Sequence, residues 1–190
     1  MEDRRQALID AGLQILREEG LAGFTQPKVA ARVGLRQGNL TYYFPTRSDL
    51  LCAVARAAVD GQLAAADALV RTTTGVGGTE KAIATLGALV TRHETTRVLV
   101  SLAQAADQEP AVRTLFNELA DGLMQRLGEL MTKLGIETSP ARLDLVHSLL
   151  VGLAVVDLAT GRRNNKARVK VALDAAFQLL IEPARSPARR

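Results

Sequence analysis

Apolar residues recur at helical spacing through almost the whole chain, and breakers punctuate them into about nine segments. Leu8, Ala11, Gly12, Ile15 and Leu16 mark one face of a first helix over about Asp3 to Glu19, which Gly20 stops. Pro27 fits the opening turn of a second helix with Thr25 or Gln26 as its cap. Val29, Ala30 and Val33 face inward before Gly34 ends it. A third short helix runs from about Gln37 to Phe44, where Pro45 disfavours helical geometry. Thr46 or Ser48 caps a long fourth helix with apolar positions at Leu50, Leu51, Val54, Ala58, Leu63 and Leu69, broken by a Thr- and Gly-rich stretch ending at Gly78.

Five further helices are expected at about Glu80 to Arg92, Thr96 to Asp107, Ala111 to Leu134, Pro140 to Thr160 and Lys166 to Ile181. The seventh carries Val112, Leu115, Phe116, Leu119, Leu123, Leu127, Leu130 and Leu134 on one face, as a central packing helix does. The eighth is apolar on nearly every side and so requires burial on two faces. No internal repeat or heptad run interrupts this all-α pattern, and the shortage of aromatics (3%) agrees with it.

Composition narrows the function. A hydrophobic content of 47% over 190 residues supports a folded core. The lone Cys52 forms no intrachain disulfide, and the N-terminus lacks a signal-peptide pattern, so the cytoplasm is the expected compartment. The longest apolar run, Leu149 to Leu158, contains Asp157 and falls short of the ~20 residues of a membrane span, so no membrane partner is expected. The formal charge of +4 is less informative than its distribution. From Gln26 to Arg47 stand Lys28, Arg32, Arg36 and Arg47 with no acid, a phosphate-contacting candidate.

The same segment holds two short helices joined by a turn at Gly34, the arrangement that lays a second helix in a major groove. That helix offers Gln37, Asn39, Thr41, Tyr42 and Tyr43 around a narrow seam of Leu40 and Phe44. As a bland alternative, the tyrosines merely shield the head and the arginines are solvated.

These residues resemble the tetracycline-repressor (TetR) family. The motif here is Val29-Ala30, Gly34-Leu35, Gly38-Asn39-Leu40, Tyr42-Tyr43-Phe44, then Arg47 with Leu50-Leu51, specific over roughly the first fifty residues. The resemblance implies a DNA-binding head at 1–47, a ligand-binding and dimerisation body at 48–182, and a basic tail at 183–190. It implies DNA contacts from Lys28, Arg36, Gln37, Gly38, Asn39, Thr41, Tyr42, Tyr43 and Arg47. It further implies a dimer acting on double-stranded DNA at a palindromic operator, with a small-molecule effector of unknown identity and no other cofactor. Thr41 replaces the usual tyrosine, Arg36 a small capping hydroxyl, and Gln26-Pro27 an opening threonine or serine.

For the dimer, the eighth helix supplies Leu149, Gly152, Leu153 and Val156, and the ninth Val169, Ala172, Leu173, Ala176, Phe177 and Leu180. Effector candidates are the polar residues among apolar neighbours, His93, Gln104, His147 and Asp157. The alternatives are a hydrogen-bonded His147 and an Asp157 paired with Arg162, Arg163 or a partner residue. No nucleophile with a base, no metal-ligand spacing and no phosphate loop points to an enzyme; Gly75, Gly77 and Gly78 lead to no P-loop lysine. A helical module with a basic tail, binding nucleic acid without sequence choice, is the remaining rival.

Overall fold

The computed structural model describes residues 2–73, 78–161 and 165–181. Among them are nine α-helices and no strand: α1 Glu2–Glu19, α2 Gln26–Arg32, α3 Gln37–Tyr43, α4 Arg47–Thr72, α5 Gly78–Val90, α6 His93–Gln108, α7 Pro110–Lys133, α8 Pro140–Thr160 and α9 Asn165–Ile181. The expected all-α class and helix order hold, with ends shifted by up to three residues. His93, expected near a helix end, opens α6. The expected tail at 183–190 lies outside the described residues, as do Gly75 and Gly77.

The termini follow local chemistry. Thr25 caps α2, its hydroxyl accepting from the Lys28 amide at 3.4 Å, with a proline in the opening turn. Thr46 and Asp49 cap α4 reciprocally: the Asp49 amide donates to Thr46 Oγ1 at 3.0 Å, and the Thr46 amide donates to Asp49 Oδ2 at 2.9 Å. Gly34, at φ 70°, makes the turn between α2 and α3, a conformation that costs L-residues a Cβ clash. Gly12 serves close approach instead. A Cβ there would lie 2.6 Å from Val54 Cγ2, so α1 packs on α4 only without one.

The chain divides into two compact units, Met1–Ala66 with Arg92–Leu123, and the described residues of Asp67–Thr91 with Met124–Arg190. In the first, Leu8, Leu16, Phe24, Leu40, Leu51 and Leu102 are fully buried around one core. Burying each such side chain contributes about 1.5–3 kcal/mol. Polar links tie α6 and the start of α7 into this unit. Arg97 donates to the Arg17 carbonyl, Ser48 donates to the Glu109 carboxylate, and Arg56 grips Glu118 through two bonds of 2.6 and 3.2 Å.

In the second unit, Leu130, Met131, Val169, Leu173 and Phe177 form the core. A Cβ on Gly87 of α5 would meet Leu173 and Val169 at 3.7 and 3.9 Å, which places the face of α9 carrying them against α5. Although the longest uninterrupted apolar run is short, α8 as a whole is long and apolar enough to cross a membrane by length and composition; its Val146, Leu153 and Asp157 are buried in this unit.

Candidate nucleic-acid interface

The head is assembled from α1, α2 and α3, and a few residues lock it. Leu40 and Phe44, four apart on one side of α3, are both buried. The Phe44 amide closes α3 by donating to the Leu40 carbonyl at 2.9 Å, and the Phe44 carbonyl accepts from Gln26 Nε2 at 3.1 Å. One side chain at the start of α2 therefore pins the end of α3, and such a bond contributes about 1 kcal/mol net.

With that seam buried, the opposite side of α3 is solvent-facing. Arg36, Gln37, Gly38 and Asn39 are exposed, and Tyr42 keeps 74% of its surface. Tyr43 is half-buried and meets Tyr42 edge to face, ring centroids 5.2 Å apart. A Cβ on Gly38 would meet nothing within 4 Å, so glycine there keeps the helix surface low. Thr41 is half-buried, and its hydroxyl donates back to the Gly38 carbonyl of its own helix at 2.9 Å. Arg36 stands at the N-cap of α3 without capping it, where the small hydroxyl it replaces would do so.

The acid-free stretch is not acid-free in space. Lys28 pairs with Glu19, and Arg32 meets Glu18 at 2.7 Å, both acids coming from the end of α1. The Arg32 pairing holds the Glu18 carboxyl below its ordinary range and raises the guanidinium. Lys28, a phosphate candidate from sequence, is thus partly neutralised. Arg47 is anchored differently: its Nε donates to the Phe24 carbonyl at 3.3 Å, and its guanidinium lies 5.7 Å from the Phe24 ring centroid. Arg5 of α1, which the pattern of sequence did not single out, lies 5.1 Å from the centroid of Phe44.

The remaining candidates are distributed. His93 and Gln104 lie in the first unit, the former half-buried and the latter exposed; half-buried His147 and fully buried Asp157 lie in the second. Asp157 accepts from Asn165 at 3.1 Å and from Arg168 at 3.4 Å. Arg168 is thus one ion-pair partner of Asp157; Arg162 and Arg163, expected as partners beside a residue of a second subunit, lie outside the described residues.

The residues expected at a dimer interface differ in burial within the chain. Leu153, Val169, Leu173 and Phe177 are buried in the core of the second unit, because α5 covers the α9 stripe that carries three of them. Gly152 and Val156 are exposed, and Leu149, Ala172 and Ala176 are half-buried. The Leu180 side chain lies outside the described part. Sequence missed the most exposed apolar residues of this pair of helices, Leu145 at 67% and Val171 at 68%. Among the described residues no group of three or more His, Cys, Asp or Glu is placed to hold a metal.

Residues 8–54 match the N-terminal domain of the bacterial regulatory proteins of the tetR family. No curated relative matches the chain. Solved structures resemble it along its length. A transcriptional regulator from Rhodococcus sp. Rha1 aligns over 93% of this chain and 95% of its own, with a TM-score of 0.76 and 21% identity. A protein described as a transcriptional regulator from Saccharomonospora viridis, solved with choline, aligns over 96% and 100%, with a TM-score of 0.82 and 16% identity. The multidrug binding protein EbrR, complexed with proflavin, aligns over 91% and 99%, with a TM-score of 0.63 and 24% identity. Residues 8–54 thus match the N-terminal domain of the tetR-family regulators, and the chain as a whole shares its all-α fold with these solved structures.

Proposed function

We propose that the protein is a dimeric repressor that binds a palindromic operator and is released from it by a small-molecule effector. The observation that carries the reading is the polar, open face of α3, with Tyr42 74% exposed above a buried Leu40 and Phe44 seam. In this reading Gln37 and Asn39 contact base edges. Arg36, Tyr42, Tyr43 and Arg47 contact phosphates or base edges, Lys28 and Thr41 add weaker contacts, and Gly38 permits the approach.

The dimer in this reading forms through the exposed apolar face of α8, Leu145, Val151, Val155 and Val156, together with Val171 of α9. A second copy is its occupant because a symmetric site calls for two heads, and an isologous contact supplies them. Half-sites then lie about one turn, ~34 Å, or a multiple apart. The body at 48–182 holds the effector and shifts the heads at 1–47 through α4. The choline and proflavin bound by two proteins of this fold support a small-molecule ligand. The basic tail adds only weak phosphate attraction, and the setting is the cytoplasm.

The test is titration of the protein and of Y42A with an operator duplex, with sedimentation of both. Y42A is expected to bind at least tenfold more weakly and to remain a dimer. Equal binding by Y42A would remove α3 from the interface.

A further inference from the structure

Arg5 is exposed on α1, and its guanidinium rests on the face of a buried ring, 5.1 Å from the Phe44 centroid. Phe44 is no neutral support. It closes the recognition helix α3 directly after Tyr43, its amide is bonded to Leu40 and its carbonyl to Gln26, and it is 2% exposed. A buried ring on a backbone pinned at both its amide and its carbonyl gives the cation a firm seat, since the guanidinium is drawn to the negative face.

No carboxylate among the described residues pairs with Arg5. By contrast, Lys28 and Arg32 have their charge matched by Glu19 and Glu18. Arg47 shows the same construction as Arg5, a guanidinium over a buried phenylalanine, here Phe24 at 5.7 Å. Two arginines from opposite ends of the head sequence are thus held over aromatic rings rather than cancelled by acids. Arg5 is anchored to the end of α3, where sequence motifs alone place only the tyrosines.

We infer that Arg5 is a phosphate-gripping residue of the head, held ready by Phe44. This rests on the DNA-binding reading above. An arginine already restricted in orientation loses less freedom on gripping a phosphate, and its fork presents several N–H donors to the oxygens. The occupant is one backbone phosphate of duplex DNA per subunit.

The test is the salt dependence of binding to an operator duplex for the parent, R5M, R5Q and R5K, with thermal unfolding of each. R5M keeps apolar cover on Phe44, so all four are expected to unfold together. Each lost phosphate contact removes about 0.9 from the slope of log K against log salt, or about 1.8 for two subunits. Across a fourfold rise in salt, R5M and R5Q should therefore lose about twelvefold less affinity than the parent, while R5K keeps the parent slope. Weaker binding by R5M and R5Q with an unchanged slope would show that Arg5 only braces Phe44 and would overturn the assignment. A parent that binds no duplex would overturn this inference together with the reading beneath it.

Discussion

Asp157, with no exposed surface, holds Arg168 at 3.4 Å and Asn165 at 3.1 Å across the connection from α8 to α9. A carboxylate buried that deeply must keep its partners, because an unpaired charge in the interior costs far more than a lost surface contact. The pair therefore fixes how the two helices meet.

Replacing Arg168 with Met should destabilise the protein by about 3 kcal/mol, the lower end for a broken buried pair because Arg168 keeps 30% of its side chain exposed. D157N/R168M, which removes both charges, should recover part of the loss. Urea unfolding of the parent and variants measures it, and equal midpoints would show that the pair is dispensable.

Asp67 and Arg126 meet through two bonds of 2.8 and 3.0 Å. The Arg126 hydrogen bond holds the Asp67 carboxyl below its ordinary range. A carboxyl lowered in the folded state adds stability that is complete above its unfolded pKa and disappears as pH falls through the folded value. Stability should thus decline below about pH 4, and D67N should show a shallower acid limb than the parent in unfolding followed against pH.

Glu18 and Glu19 compete with DNA for Arg32 and Lys28. The double variant E18Q/E19Q frees both cations, so binding to duplex should tighten about threefold at low salt, with a steeper salt slope. Unchanged affinity would place Lys28 and Arg32 outside the contact surface.

Leu145 and Phe177 should separate assembly from folding. L145E puts a charge into the exposed face of α8 and should yield folded monomer in sedimentation. F177A empties the core of the second unit, where Phe177 is 1% exposed, and should cost about 3–5 kcal/mol of stability. A dimer retained in L145E would exclude this face as the interface.

The helices and their order were legible because period, caps and breakers agree locally, as at Thr25, Gly34 and Pro45. What sequence could not supply was which neighbour each face meets. Val169, Leu173 and Phe177 form a clear stripe, but periodicity does not say whether a stripe meets α5 or a second chain. On α8, apolar all round, no periodicity marks Leu145 as the exposed side. Lys28 and Arg32 look unopposed along the chain because Glu18 and Glu19 approach them only after α1 packs on α2. Arg5 carried no signal in sequence, since its ring partner lies thirty-nine positions away. Asp157 was legible as a paired carboxylate, and Arg168 is one of its partners.

The most direct test of the account is selection of bound sequences from random duplex DNA by the purified protein, followed by titration of the recovered duplex against a scrambled one. A two-fold-symmetric consensus is expected, bound about a thousandfold or more tighter than the scrambled duplex at the same salt. Equal affinity for the two would contradict sequence recognition by α3 and leave a protein that binds nucleic acid by charge alone.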